Sequence, residues 1–158
     1  MPPPFKAFVD AQTRFRDTDA MGHVNNAVYL SFLELARMHY WIRHTGVTDH
    51  RRIGFILARV EIDYRSPAYA GEELRVWLRV TELRGSSFVF AYRVEEKASG
   101  RLVAEAVSVQ AGYDYEAGRV RRLTEEFRGK VLAFEEPGSI LAGRAAGGRR
   151  VPPSTGDR

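Results

Sequence analysis

Residues 26–43 predict a helix that is apolar on nearly every side. Its large side chains recur at spacings of three and four residues, the period of an α-helix. One face carries Tyr29, Leu33, Ala36 and Tyr40, and the other sides carry Val28, Leu30, Phe32, Leu35, Met38 and Trp41. A helix with so little polar surface needs other parts of the protein to cover it. The fold is therefore expected to surround this helix, which Gly46 is expected to end.

The segments on either side of this helix predict strands. Stretches rich in apolar and β-branched residues occupy residues 5–16, 53–64, 72–83, 87–96, 101–115 and, more briefly, 119–123. Turns that contain glycine separate the later stretches, so consecutive strands are expected to pair antiparallel. Thr124 can cap a last helix with acidic residues in its first turn. One apolar helix and about five long strands indicate an α+β domain with the sheet wrapped around the helix.

Long strands in a small domain leave exposed edges. Such edges are commonly covered by pairing with another subunit, because their free N–H and C=O groups would otherwise recruit stray strands. A homodimer or a homotetramer is therefore expected.

Composition divides the chain into a domain at residues 1–136 and a tail at residues 137–158. The tail consists mainly of Gly, Ala, Pro, Arg and Ser, and it is expected to be disordered because it has few large apolar side chains to bury. Most of the formal net charge of +4 comes from the arginines of this tail. The domain therefore lacks the basic face that nucleic-acid binding requires, and no nucleic-acid partner is expected.

The residue types and patterns that the chain lacks narrow its chemistry and location. The absence of cysteine excludes disulfides, a thiolate nucleophile and cysteine-ligated metal sites. The first residues lack the charged-then-apolar pattern of a signal peptide, and no apolar run approaches the ~20 residues that span a bilayer. A cytoplasmic protein without membrane insertion is expected.

The densest group of polar residues lies just before the helix. Between the first strand and the helix, the chain places Asp17, Asp19, His23, Asn25 and Asn26. The free N–H groups of a helix's first turn can hold an anion or a developing oxyanion. A nearby aspartate can act as a nucleophile or a general base, and a histidine can orient the aspartate or the substrate. Together these groups fit acyl transfer through a stabilised tetrahedral intermediate.

Residue types alone leave a simpler interpretation of this segment open. Any capped loop before a helix has a similar composition, because Asp, Asn and Gly satisfy the free N–H groups of the helix start. The spacing of Asp17, Asp19 and His23 does not match the patterns typical of zinc sites, so no metal is expected.

The order of residues in this segment resembles that of a known enzyme family. Residues 17–29 read DTDAMGHVNNAVY, and Phe32-Leu33-Glu34 and Ala36-Arg37 follow on the helix. This pattern resembles the 4-hydroxybenzoyl-coenzyme A thioesterase family, and the order of elements is similar over residues 5–135. The resemblance implies the hotdog fold, a curved antiparallel sheet around one long helix. It also implies hydrolysis of an acyl thioester.

The resemblance assigns roles within the loop. Asp19 matches the family's catalytic carboxylate, and the backbone N–H of Asn26 matches the group that binds the thioester carbonyl. His23 matches a histidine of many acyl-CoA and acyl-carrier-protein thioesterases, whereas the 4-hydroxybenzoyl-specific branch often has an apolar residue there. Asp17 matches a position that braces the loop.

Other residues are predicted to contact the substrate or to support the site. Met21 and Gly22 lie in the same loop and are assigned to substrate binding, with Met21 standing where plant acyl-carrier-protein thioesterases have an asparagine. Asn25 and Glu34 are assigned supporting roles. For Glu34 the alternative is an ion pair with Arg37 on the helix surface.

Arg84 is predicted to bind the substrate from a separate turn. It matches a family position where a basic residue meets the nucleotide phosphates of coenzyme A, and the alternative is an ordinary solvated turn residue. The chain is thus predicted to be an acyl-CoA thioesterase that needs no cofactor, because coenzyme A is part of the substrate. Two alternatives stay open: an acyl-carrier-protein thioesterase and a non-catalytic sensor that binds acyl-CoA.

Overall fold

The computed structural model describes residues 4–49 and 52–142. In chain order, the described elements are β1 (Ala7–Gln12), α1 (Val28–Thr45), β2 (Phe55–Tyr64), β3 (Glu73–Leu83), β4 (Ser87–Glu96), β5 (Leu102–Asp114), β6 (Arg119–Val120), α2 (Glu125–Phe134) and β7 (Leu141–Ala142). Each predicted helix and strand is present, and most boundaries differ from the prediction by only a few residues. The predicted α+β class is confirmed.

The five long strands form one antiparallel sheet in the order β1–β3–β4–β5–β2. Consecutive strands β3, β4 and β5 are neighbours, as their short turns require. The strands β1 and β2 lie at the two edges. Two-residue strands extend the sheet locally, because β6 pairs with β5 and β7 pairs in parallel with β3.

The antiparallel register gives the sheet two ends, which we name after residues of β2. At the Tyr64 end, β2 finishes opposite the start of β5, and β1 finishes opposite the start of β3. At the Phe55 end, β2 begins and the turn between β3 and β4 closes. The eleven residues of β3 run from one end to the other, a distance of about 35 Å.

The helix α1 lies on one face of the sheet and runs from the Tyr64 end to the Phe55 end. The predicted inner face is confirmed, since Tyr29, Leu33, Ala36 and Tyr40 are all buried. They pack in one core with inward-facing strand residues such as Leu78.

The expectation that α1 is covered on all sides is wrong for the described chain. Leu30, Leu35 and Ile42 are each about two-fifths exposed. One sheet face covers only one side of a helix, and the described residues place no second layer over the outer side of α1. This uncovered apolar surface is available to pack against another protein surface.

The ends of the two helices follow the predicted signals. Gly46 adopts a left-handed conformation with φ 67°, and its N–H donates to the carbonyl of Ile42 at 2.8 Å. The hydroxyl of Thr124 accepts a hydrogen bond from the N–H of Phe127 at 3.2 Å, so the predicted cap of α2 is confirmed. Within the described ranges, neither helix combines the length and apolar character needed to cross a membrane.

The described chain continues past residue 136, where composition predicts the domain to end. Leu141 and Ala142 pair in parallel with Glu82 and Leu83 of β3. The remainder of the predicted tail, residues 143–158, lies outside the described residues.

Candidate active site

The loop between β1 and α1 folds back on itself as a small hairpin. Thr18 and Val24 form an isolated antiparallel bridge, and the N–H of Asp19 donates to the carbonyl of His23 at 2.8 Å. Gly22 closes the turn by donating to the carbonyl of Asp19 at 3.0 Å, and its φ of 80° requires glycine. Gly22, assigned to substrate binding from the sequence, therefore has a structural role that is sufficient to explain it.

Asp19 uses one oxygen of its carboxylate to hold this turn. Its Oδ1 accepts hydrogen bonds from the backbone N–H of Met21 at 2.9 Å and of His23 at 3.3 Å. Across the described chain, no hydrogen bond uses the other oxygen, Oδ2, and the residue is partly exposed. The turn thus fixes the carboxylate and leaves one oxygen available for chemistry.

Asp17 is held on the inner side of the same loop. It is 6% exposed, and its Oδ2 accepts hydrogen bonds from the backbone N–H of Arg14 at 2.8 Å and from Arg14 Nε at 3.2 Å. Burial alone would raise the pKa of Asp17, but the hydrogen bonds from Arg14 outweigh it and hold the pKa below its usual value. Its carbonyl also accepts from the N–H of Asn25 at 2.8 Å, so Asp17 joins both ends of the loop.

The start of α1 lies directly beside this loop. The side chain of Asn25 accepts a hydrogen bond from the N–H of Ala27 at 2.9 Å. The backbone carbonyl of Asn25 accepts one from the N–H of Val28 at 3.0 Å. The N–H of Asn26 donates to no group within the described residues. It lies at the positive end of an 18-residue helix, where an oxyanion is stabilised.

His23 contacts a second segment of the chain, which the sequence did not associate with the site. It forms an isolated bridge with Tyr69, and the two rings meet edge to face with centroids 5.5 Å apart. Glu72 accepts a hydrogen bond from the N–H of Tyr69 at 3.0 Å and is held by two hydrogen bonds from Arg101. The sequence predicts a strand that ends at residue 64, but nothing in the residues that follow it indicated contact with the loop.

Met21 points away from these contacts. It is 76% exposed, at the tip of the hairpin. An exposed methionine beside the Asp19 carboxylate is an adaptable apolar contact for a ligand or for another protein surface.

A cavity of about 300 Å³ lies at the Phe55 end of the sheet, between α1 and the starts of β2 and β4. Its apolar lining includes Met38, Trp41, Phe55, Phe88, Phe90 and Phe127, and polar atoms come from Glu34, Arg37 and Gln110. The sequence did not single out Gln110. Gln110 alternates with Ala104, Ala106 and Ser108 on the buried side of β5, and a glutamine at such a position was the signal that could have identified it.

The alternative pairing of Glu34 with Arg37 is not found in the described structure. Arg37 Nη1 instead donates to the hydroxyl of Tyr92 at 3.4 Å, and Glu34 is an exposed residue at the rim of the cavity. The hydroxyl of Tyr92 also shares a hydrogen bond with Ser108 Oγ at 2.7 Å.

Arg84 lies in the turn between β3 and β4, also at the Phe55 end. Its guanidinium makes two hydrogen bonds of 2.9 Å to the carboxylate of Glu82, which lower the pKa of Glu82. Its carbonyl accepts two hydrogen bonds from Arg128, and the guanidinium of Arg122 lies beside the neighbouring Gly85. Three arginines therefore meet at this turn, where Glu82 pairs with Arg84 and the exposed Glu125 lies 3.8 Å from Arg128 Nε.

The predicted site residues thus form two groups within one chain. Asp17, Asp19, Met21, Gly22, His23, Asn25 and Asn26 lie together at the Tyr64 end, and Glu34 and Arg84 lie toward the Phe55 end. The length of β3, about 35 Å, separates the loop of Asp19 from the turn of Arg84. Among the described residues, no three His, Asp or Glu side chains are grouped as metal ligands.

Known proteins resemble this chain over most of its length. Residues 13–131 match the family model of the Thioesterase-like superfamily. The chain is 30% identical to the long-chain acyl-CoA thioesterase FadM of Escherichia coli (strain K12) over 116 residues, which are 72% of this chain and 87% of that protein. It is 32% identical to the acyl-CoA thioester hydrolase YbgC of Escherichia coli O6:H1 over 96 residues, 58% of this chain and 70% of that protein.

A solved structure shows the same relationship. A thioesterase of Thermus thermophilus, complexed with coenzyme A and Zn, has a TM-score of 0.73 at 37% sequence identity and covers 82% of this chain and 93% of that chain. The predicted hotdog fold and the predicted enzyme class, a thioester hydrolase, are confirmed at the level of the family. The chain belongs to the Thioesterase-like superfamily.

Proposed function

We propose that this protein hydrolyses acyl-coenzyme A thioesters to the free acid and coenzyme A, with Asp19 as the catalytic carboxylate. One observation carries the proposal: a loop fixes a carboxylate and ends at a helix start, and neither Asp19 Oδ2 nor the Asn26 N–H has a hydrogen-bond partner within residues 4–49 and 52–142. Relatives named as acyl-CoA thioesterases support the choice of substrate.

The proposed reaction uses each of these groups once. Asp19 Oδ2 attacks the thioester carbon, or it removes a proton from a water molecule that attacks this carbon. The negative charge that develops on the carbonyl oxygen is stabilised by the Asn26 N–H. The C–S bond then breaks, and coenzyme A leaves as a thiolate that takes up a proton. Where Asp19 is itself the nucleophile, the acyl group stays on Asp19 as an anhydride, which water then hydrolyses to the free acid and the regenerated carboxylate. Because a thiolate is a good leaving group, no strong general acid is needed at the sulfur.

His23 and Met21 are proposed to guide the substrate to this carboxylate. The imidazole of His23 stands against Tyr69, which fixes its position, and the residue is partly exposed. Met21 supplies an exposed apolar surface at the tip of the hairpin.

We further propose that two copies of the chain pair along β2. This strand has ten residues and is hydrogen-bonded on one edge only, to β5, within the described structure. Ile56 and Leu57 of β2, and Leu30 of α1, are each about two-fifths exposed. The other edge strand, β1, has only six residues, and charged contacts flank it, such as the ion pair of Asp10 with Arg75. The β2 edge is thus the better site for a second subunit.

Antiparallel pairing of two β2 strands would also unite the two groups of site residues. It places the Tyr64 end of one copy beside the Phe55 end of the other, so Asp19 of one copy faces the cavity of its partner. The acyl group is proposed to occupy that cavity, whose lining is mainly aromatic and aliphatic. The phosphates of coenzyme A are proposed to contact Arg84 and Arg122 at the neighbouring turn.

Two narrower questions concern the substrate. His23 stands where the 4-hydroxybenzoyl-specific branch often has an apolar residue, and this argues for a broader acyl-CoA substrate. An acyl carrier protein would present the same pantetheine arm without the nucleotide. A contribution of Arg84 to binding would therefore distinguish an acyl-CoA substrate from an acyl-carrier-protein substrate.

A thiol-release assay tests the proposed function. Purified protein is mixed with short-chain, medium-chain, long-chain and aromatic acyl-CoAs, and with one acyl-carrier-protein ester of the preferred acyl group. Hydrolysis of at least one acyl-CoA, faster than that of the carrier ester, is expected. Tight binding of an acyl-CoA without hydrolysis would instead establish a sensor, and preference for the carrier ester would establish the carrier-protein alternative.

A further inference from the structure

Tyr64 joins the sheet to the start of α1 by a single hydrogen bond. It is the last residue of β2, and its hydroxyl donates to the backbone carbonyl of Asn26 at 2.9 Å. Its ring meets that of Tyr29 edge to face, with centroids 5.1 Å apart. Tyr29 is 3% exposed in the first turn of α1, so it gives the Tyr64 ring a rigid support.

The remaining hydrogen bonds around Asn26 come from its own loop and helix. The N–H of Asn25 donates to the carbonyl of Asp17, and the carbonyl of Asn25 accepts from Val28. These bonds hold the peptide group between Asn25 and Asn26, which carries the Asn26 N–H. The hydrogen bond from Tyr64 holds the next peptide group, between Asn26 and Ala27, through the carbonyl of Asn26. Among the described residues, it is the only one that ties the Asn26 backbone to the sheet.

We propose that Tyr64 is a positioning residue, whose hydroxyl holds Asn26 so that its free N–H points at the oxygen of the reacting thioester. The inference rests on the proposed function, because it assumes that the Asn26 N–H receives the oxyanion. Within the described residues, Tyr64 makes no hydrogen bond to the carboxylate of Asp19 and does not line the cavity. It acts through the backbone of Asn26.

A positioning role for Tyr64 predicts which kinetic constant should change. An oxyanion donor stabilises the transition state more than the bound substrate, so a misplaced donor lowers kcat and leaves KM nearly unchanged. Small displacements at a reacting centre are costly, because hydrogen bonds to a developing charge depend steeply on geometry.

Tyr64→Phe removes only the hydroxyl and keeps the ring against Tyr29. We expect kcat for the preferred acyl-CoA to fall roughly tenfold or more, with KM within about twofold of the wild type. Ser66→Ala is the matched control, because the hydroxyl of Ser66 donates to the carbonyl of Leu102 at 2.7 Å at the same end of β2, away from Asn26. It removes one hydroxyl-to-carbonyl bond and should leave both constants within about twofold.

A second measurement separates positioning from general loosening of the fold. The affinity for a ketone analogue of the substrate that forms a tetrahedral adduct should fall in Tyr64→Phe, while the affinity for free coenzyme A stays unchanged. Equal kcat in Tyr64→Phe and Ser66→Ala would overturn the inference. So would equal loss of affinity for the analogue and for coenzyme A.

A third measurement does not depend on turnover. The carbonyl ¹³C resonance of Asn26 should shift upfield in Tyr64→Phe, because a carbonyl loses a hydrogen-bond donor, and it should not shift in Ser66→Ala. If the wild type hydrolyses no thioester, the proposed function fails, and the NMR comparison still decides whether Tyr64 holds Asn26. An unchanged Asn26 resonance would contradict the positioning role on its own.

Discussion

Asp19 accepts a hydrogen bond from the backbone N–H of Met21, two residues further along the chain, through a single carboxylate oxygen at 2.9 Å. An asparagine side chain retains one such oxygen. The turn of the loop can therefore survive the substitution Asp19→Asn, while the negative charge and the free Oδ2 are lost. This separates the structural role of the residue from its proposed chemical role.

Asp19→Asn is expected to lower kcat at least about a hundredfold, the usual scale for loss of a nucleophile or general base, with little change in thermal stability. Both are measured on the same preparation, kcat by thiol release and stability by thermal unfolding. The matched control is Asp114→Asn, because Asp114 Oδ1 caps another turn by accepting from the N–H groups of Glu116 and Ala117. Equal activity of Asp19→Asn and Asp114→Asn would remove Asp19 from the mechanism.

Arg84→Gln tests recognition of the nucleotide. We expect KM for an acyl-CoA to rise about tenfold and KM for the corresponding acyl-pantetheine to stay the same, because only coenzyme A carries phosphates for the guanidinium to bind. Arg93→Gln is the matched control, since Arg93 also pairs with a glutamate two residues away, Glu95. A parallel rise in KM for both substrates would show that Arg84 does not read the phosphates.

The oligomeric state can be tested on the uncovered face of α1. Leu30→Glu places a charge on the α1 face that flanks β2 and is expected to shift the protein toward monomers in sedimentation equilibrium. Leu132→Glu is the control, because Leu132 is a comparably exposed leucine, on α2. A wild type that sediments as a monomer would contradict the proposed pairing. So would a Leu30→Glu variant that assembles as fully as the control.

A shared site makes a stronger demand than dimer formation. Met38→Trp should fill the cavity, and Asp19→Asn should remove the carboxylate, so each variant alone is expected to be inactive. If each site combines Asp19 of one copy with the cavity of the other, a mixed dimer regains one intact site. Random co-assembly of equal amounts should then restore about a quarter of the wild-type activity. No recovery in a verified mixed dimer would place both groups in the same copy's site.

The local features of this fold could be predicted because local signals determine them. The spacing of apolar residues predicted α1, and turn residues predicted where the strands β3, β4 and β5 begin and end. Both signals work because the burial of a side chain in a helix and the conformation of a turn depend on residues that are near in sequence. Thr124 and Gly46 fixed helix ends for the same reason. The loop motif likewise brought Asp17 and Asp19 to one place, because few residues separate them.

Relations between distant segments were beyond the same reasoning. The contact of Tyr64 with Asn26 joins residues 38 apart and depends on how α1 lies across the sheet. The separation of Arg84 from Asp19 follows from the strand order, which no single motif specifies. The exposure of Leu30 was missed because an all-apolar helix indicates that something covers it, without indicating whether that is the same chain or a second copy.

His44 is expected to make stability depend on pH. Its ring lies between those of Tyr40 and Phe134, with centroids 4.1 and 4.4 Å away, and its Nε2 is buried without a hydrogen-bond partner in the described structure. Burial, helped by the positive charges of Arg43 and Lys130, lowers the pKa of His44 to about 4. An unfolded chain binds a proton at this histidine near pH 6.5, well before the folded protein does.

The unfolding free energy is therefore not reduced by His44 above pH 6.5, and it decreases progressively as the pH falls toward 4. Discounted for partial exposure, the loss amounts to about 2 kcal/mol of unfolding free energy. His44→Phe keeps a ring in the same place and cannot take up a proton, so its unfolding free energy should fall less than that of the wild type over this range. Burial raises the pKa of Glu135, so this residue changes the unfolding free energy with pH in the opposite direction. Glu135 is present in both proteins, so the difference between their curves of unfolding free energy against pH reports on His44 alone. Urea unfolding at intervals between pH 7 and 4 measures this difference, and parallel curves would mean that the folded protein protonates His44 as readily as the unfolded chain does.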